Sequence, residues 1–135
     1  MTILRQAPLP NQYVNTGSFW KSACERRLVI QSCGDTGRLQ HYPRPVSLAT
    51  GSRNLNWREV SGAGEIYTWT VIRIPVAGFE NQGHFIVAMV QLDEGVRVQA
   101  RILDDALCRI EIGARVELDW DTFDDGVLYP AFRLV

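Results

Sequence analysis

Four residues stand at the spacing of a metal cage. Cys33 and Thr36, followed by Gly37, and Ser47 and Thr50, followed by Gly51, trace the C-x-x-C-G pattern twice, with a Pro-rich bend between the two copies. Four thiolates on two such tight turns would match the tetrahedron that Zn(II) prefers, the arrangement of a rubredoxin-like zinc ribbon. Only Cys33 is a cysteine here. Serine and threonine hydroxyls stay protonated near neutral pH, so one thiol with three hydroxyls is expected to hold no structural zinc. Gly37 and Gly51 keep their use as turn residues that tolerate positive φ. A second ligand set, Cys33 with Asp35 and His41, matches no standard spacing and is not expected to bind metal either.

Other chemistry is sparse. The two histidines, His41 and His84, lie in no nucleophile elbow, zincin helix or Walker loop. Asp104 with Asp105, and Asp124 with Asp125, sit where helix starts and turns favour carboxylates. The run SGAGEIY has Tyr67 where a dinucleotide loop needs its third glycine, and it feeds a strand rather than a helix. No catalytic residue is expected, and catalysis by the chain alone is not expected.

The elements that must position the knuckles fall into three segments: an extended arm or frayed terminus over 1–15, a helix with a degenerate ribbon over 16–61, and a barrel over 62–135. Thr16 or Ser18 is placed to cap a helix reaching about Arg27, with Phe19, Trp20 and Ala23 on one face. Those aromatics serve either the core or a partner surface. Leu28–Ser32 and Arg38–His41 read as short strands around the first knuckle, and Gly62 and Gly64 mark a hinge. From there the period is two, predicting strands over Gly64–Ile74, His84–Leu92, Val96–Ile102, Arg115–Trp120 and Val127–Leu134. Asp93-Glu94-Gly95 and Asp124-Asp125-Gly126 supply hairpin turns, and 104–110 one short helix. Five strands with a helix between the third and fourth is the OB arrangement, so the fold class is mainly β: helix, degenerate ribbon, then a five-stranded OB barrel.

The segments FWKSACERRLVIQSC, PRPVSLATGSRNLNW, EIYTWTVIR and HFIVAMVQLDEGVRV, in that order, resemble the zinc-ribbon OB-fold proteins found beside acyl-CoA enzymes, over roughly Phe19 to Val135. The resemblance implies a helical hairpin, a ribbon and an OB barrel. It also implies a noncatalytic subunit of a thiolase-like enzyme, acyltransferase or aldolase, or alternatively of a MaoC-type hydratase, that docks on the catalytic subunit and shapes its CoA or acyl channel. Thr36, Ser47 and Thr50 depart from the family's ligand pattern.

Two of the predicted strands are apolar on both faces. Tyr67, Trp69 and Val71 alternate with Ile66, Ile72 and Ile74, and Phe85, Val87 and Met89 with Ile86, Ala88 and Val90. A barrel has one interior, so the second face must be covered by the helix and ribbon, by a partner or by a ligand. Phe19, Trp20, Tyr67, Trp69 and Phe85 are the candidate partner interface. The loop 75–83 carries Phe79, and the resemblance sets this side toward a partner's CoA channel, with Arg73, Phe79 and Arg97 as candidate contacts and CoA or an acyl carrier met only within the complex. An OB fold gripping single-stranded nucleic acid through Tyr67, Trp69 and Phe79 is the rival reading; a net charge of -1 and a pI near 6.1 count against it. Three cysteines without paired spacing and an opening without a leader pattern predict a reduced, cytoplasmic protein. The longest apolar run, Phe85–Val90, has strand length and excludes a membrane helix.

Overall fold

The structure is a computed structural model that describes residues 15–74, 83–103, 109–122 and 126–135. The expected arm up to residue 14, the loop over 75–82 with Phe79, the helix over 104–108 and the acidic turn at Asp124 and Asp125 lie outside the described residues.

Helix α1 (Gly17–Cys24) turns Phe19 and Ala23, four residues apart, into the core. It stops short of the expected Arg27 because the chain leaves in a left-handed turn. Arg26 has φ 57°, and the Arg26 and Arg27 N–H groups donate to the Ala23 and Ser22 carbonyls at 2.9 Å each, satisfying the last turn. Thr16 occupies the N-cap position but makes no side-chain capping bond.

The ribbon is a three-stranded antiparallel sheet of β1 (Val29–Cys33), β2 (Leu39–Gln40) and β3 (Leu55–Glu59) in the order β2-β1-β3. Strand β3, which pairs from Val29↔Glu59 to Cys33↔Leu55, is an element the sequence reading missed. Its formation leaves β1 central and buried along its whole length.

Strands β4 (Gly64–Ile72), β5 (Phe85–Leu92), β6 (Arg97–Ile102), β7 (Arg115–Thr122) and β8 (Leu128–Leu134) close a barrel in the order β4-β5-β6-β8-β7. These are the five predicted strands, in the OB arrangement. Closure rests on the pairs Gly64↔Val116 and Glu65↔Arg115, and on one parallel pair, Ile102↔Phe132. Phe132, Val90, Ile66 and Val116 are among the fully buried side chains inside, each contributing on the order of 2 kcal/mol of apolar burial. Arg115 donates to both Asp93 carboxylate oxygens, at 2.9 and 2.8 Å, and so ties the β5–β6 turn to β7. The segment around Gly62 is more than a hinge: Gly62 has φ +78°, and a Cβ there would stand 2.3 Å from Leu118 Cβ, so the backbone is seated directly on β7.

One face assignment is corrected. The β4–β5 register runs Ile66↔Val90, then Thr68↔Met89 and Trp69↔Ala88, with Tyr67 left over as a bulge. The extra residue shifts the alternation, so Ile66, Trp69 and Val71 face inward while Tyr67, Thr68, Thr70 and Ile72 face outward. Strict alternation had grouped Tyr67 with Trp69 and Val71.

Candidate functional site

The structure brings the four cage positions together. Cys33 is 1% exposed and Ser47 equally so, and Thr50 Oγ1 lies 3.9 Å from Cys33 Sγ. The hydroxyl of Ser47 first, and then that of Thr36, holds the Cys33 thiol down to a pKa of about 6 against a smaller opposing effect of desolvation. Hydrogen bonding to the thiolate form thus outweighs the desolvation that opposes it. The side chains of the second ligand set have other partners: Asp35 Oδ1 accepts from Asn54 Nδ2 at 3.0 Å, and His41 packs on Phe19 and Tyr42 with ring centroids 5.7 and 4.4 Å away.

Behind the knuckles lie two buried glutamines that sequence reasoning passed over. Gln31, at the middle of β1, and Gln40, on β2, are 3% and 6% exposed. Gln31 Oε1 accepts from Gln40 Nε2 at 2.6 Å and from the Arg44 N–H at 2.8 Å, and Gln31 Nε2 donates to the Arg44 carbonyl at 2.8 Å. Gln40 Nε2 donates to the Val46 carbonyl at 3.1 Å, and Gln40 Oε1 accepts from the Leu48 N–H at 2.9 Å. The signal available was a lone amide inside the apolar strand VIQSC.

The expected partner residues divide. Phe19 is buried in the core, so the core alternative holds for it and the surface one is corrected: α1 packs on β1 and β8. Trp20 is half-buried against Tyr129, with ring centroids 5.0 Å apart. The ribbon bend joins the same contact, where Tyr42 Oη donates to Gln99 Oε1 at 3.4 Å. A pocket of about 230 Å³ remains there, lined by Trp20, Tyr42, Pro43 and Tyr129 among others. The helix and bend therefore lie over β6 and β8, not over the second apolar face. That face, on the outside of β4 and β5, is formed by Ile72, Phe85, Val87 and Met89, half-buried, and by Tyr67, 48% exposed. Trp69 packs against the core instead.

The expected channel contacts are not brought together. Arg97 lies with its guanidinium 3.7 Å from the centre of the Tyr67 ring and donates Nε to Gln91 Oε1 at 2.8 Å. Arg73 Nη1 stands 3.4 Å from His84 Nδ1, beyond the other end of the strand pair. Gln91 and Phe85, the β5 residues beside the two arginines, are six residues apart, roughly 20 Å along an extended strand. Arg97 instead shares a groove of about 570 Å³ with Arg38 and Arg58, between the ribbon and the β5–β6 turn. Glu94, at the same groove, is engaged by the Ser61 N–H at 2.8 Å and the Ser61 hydroxyl at 3.3 Å. The groove thus presents guanidinium groups suited to phosphate or carboxylate oxygens. Arg38 and Arg58 were not foreseen, since Arg38, just before β2, and Arg58, on β3, come to one groove only in the folded ribbon.

Comparison with known proteins supplies the family. The profile described as "ChsH2, rubredoxin-like zinc ribbon domain" matches residues 20–47, and the one described as "ChsH2, C-terminal OB-fold domain" matches residues 57–121. A "DUF35 domain-containing scaffold protein" of Pyrococcus furiosus is 35% identical over 100 residues, which is 74% of this chain and 74% of that protein. The chain belongs to the DUF35 family. Another similar protein is a "Probable enoyl-CoA hydratase alpha subunit" of Thermomonospora curvata, 36% identical over 132 residues; the match takes in 96% of this DUF35 chain but only 40% of that subunit's length. Among solved structures, "Ltp2-ChsH2(DUF35) aldolase" superposes with a TM-score of 0.84 at 34% identity, covering 93% of this chain and 98% of that one.

The ribbon profile carries zinc in its description, and the DUF35 chain's own residues do not fit the ion. Around the cage they offer one thiol and three hydroxyls, and among the described residues no group of three His, Cys, Asp or Glu side chains is placed to hold a metal. No helix among the described residues is long and apolar enough to cross a membrane.

Proposed function

We propose that this chain is a noncatalytic accessory subunit of an acyl-CoA enzyme, docking on the catalytic subunit and shaping the path by which CoA or an acyl carrier presents its acyl group. The observation that carries this reading is the near end-to-end likeness, at a TM-score of 0.84, to the DUF35 chain of an aldolase. An aldolase-type partner is therefore the first to test. The similarity to a hydratase alpha subunit makes a hydratase partner the second. A thiolase-like or acyltransferase partner rests on the wider family resemblance alone.

The docking surface in this reading is the outer face of β4 and β5, where Tyr67 and Phe85 stand with Ile72, Val87 and Met89. Phosphate contacts would gather at the groove of Arg38, Arg58 and Arg97 rather than at Arg73. A cytoplasmic setting and a hetero-oligomeric state belong to the same proposal. The nucleic-acid alternative loses Trp69 from its stacking platform, because that ring packs against the core.

The test is purification of the tagged chain from its native host, followed by size exclusion and identification of what stays bound. A stoichiometric aldolase, hydratase or thiolase-like subunit is expected. A chain that elutes alone as a folded monomer, with no acyl-CoA enzyme retained, would overturn the reading.

A further inference from the structure

The two knuckles have kept the backbone of a metal cage. In the first, the Gly37 N–H donates to the Cys33 carbonyl and the Cys33 N–H to the Arg38 carbonyl, both at 2.8 Å; in the second, the Gly51 N–H donates to the Ser47 carbonyl and the Ser47 N–H to the Ser52 carbonyl, again both at 2.8 Å. Gly37 and Gly51 have nearly equal φ, 74° and 75°. Two turns with the same bonds and the same torsions therefore face each other across Cys33 and Thr50. What has changed is the filling. Ser47 Oγ accepts from the Ala49 and Thr50 N–H groups at 3.1 and 3.4 Å, Thr36 Oγ1 from the Arg38 N–H at 3.3 Å and Thr50 Oγ1 from the Ser52 N–H at 3.2 Å. The hydroxyls thus take amide donors within their own turns, as thiolates at a metal would.

A second observation says what joins the knuckles. A metal ties them by bonding to both at once, whereas one thiol and three hydroxyls offer across the knuckles only the weaker hydrogen bonds of Cys33 with Ser47 and Thr50. The Gln31–Gln40 pair spans this gap: its side-chain hydrogen bonds fasten β1 and β2, which flank the first knuckle, to the backbone at Arg44, Val46 and Leu48, which leads through Ser47 into the second. Both amides are buried, so each polar atom left without a partner would carry a desolvation cost, and all four are used.

We propose that the ribbon of this chain is a metal-free module, in which a thiol and hydroxyl cluster fills the cage and the buried Gln31–Gln40 pair fixes the two knuckles in the register a tetrahedral ion would otherwise set. The cage positions remain those of a tetrahedral site, so restoring thiols with Thr36→Cys, Ser47→Cys and Thr50→Cys restores uptake of one ion.

The experiment uses the full chain produced in zinc-supplemented medium. Wild type is expected to carry below about 0.1 zinc per chain by elemental analysis, with a melting temperature that a chelator leaves unchanged. Close to one zinc per chain, or a melting temperature that drops with chelator, overturns the proposal. Gln31→Leu with Gln40→Leu is expected to lower the melting temperature at unchanged metal content; an unchanged melting temperature overturns the clamp. The triple cysteine variant is expected to bind one Co(II) with the intense visible bands of tetrahedral thiolate coordination. A folded triple variant that takes up no Co(II) overturns the retained cage, and if that variant does not fold, the wild-type and glutamine measurements decide the proposal.

Discussion

Burial holds the His41 imidazole at a pKa of about 4, below its ordinary 6.5, and Nδ1 finds no protein partner among the described residues. A depressed folded-state value means that the unfolded chain takes up a proton before the folded one does. The stability His41 contributes is complete above about pH 6.5 and is lost as the pH falls toward 4, a change on the order of 3 kcal/mol. Denaturant midpoints measured between pH 7 and pH 4 should fall, and His41→Phe should flatten that part of the profile; parallel profiles for the two proteins would refute the assignment. Arg26 presents a different residue-scale cost. It ends α1 at φ 57°, where a side chain is strained and glycine is not. Arg26→Gly should stabilise the chain by about 0.5–1 kcal/mol in chemical denaturation, offset in part by the freedom glycine gains on unfolding.

The bulge on β4 decides which side chains meet the core. Removing Tyr67 leaves Ile66 opposite Val90 and Trp69 opposite Ala88 in plain alternation, so the shortened strand keeps its inward residues. Removing Thr70 instead moves Val71 to the outer face and opposes the wrong residues toward Ile72. The two single-residue deletions should therefore differ by about 2 kcal/mol or more in stability, with the Tyr67 deletion the milder. Equal losses would show that the bulge does not set the phase. The linker is as constrained as the strand. Gly62→Ala puts a methyl into Leu118 at a backbone torsion that alanine resists, and a loss of about 2 kcal/mol or more is expected from urea unfolding. A loss within experimental error would mean that β7 yields there.

Among the described residues, the helix and ribbon bend cover one outer barrel face, over β6 and β8, and the proposed docking face lies on the outside of β4 and β5. Val87 points outward from β5 beside Thr70, on that second face. Val87→Lys should raise the dissociation constant of the complex about tenfold or more while the melting temperature of the chain alone moves little, because hot-spot residues act through the desolvated centre of an interface. An unchanged affinity would remove this face from the docking site. Within the complex, Arg97→Ala should raise KM for the acyl-CoA more than Arg73→Ala does, since only Arg97 shares a groove with Arg38 and Arg58.

The architecture was legible because it is written in local terms. Period-two apolar runs named all five barrel strands, glycine after an acidic pair named the β5–β6 turn, and paired x-x-G spacings named the two knuckles and their missing ligands. Side-chain alternation and turn torsions are properties of neighbours in the chain, and neighbours are visible in a sequence. The tertiary structure decided what depends on distant partners. Tyr67 becomes a bulge only against the register of β5, and Phe19 becomes core only when β1 and β8 close over α1. Gln31 and Gln40 become a clamp only when β1 and β2 pair beneath the bend, and Arg97 parts from Arg73 only because one strand separates them by its length. Burial, register and the meeting of side chains across a sheet are set by packing between segments, and the chemistry of this chain's surface follows from that packing.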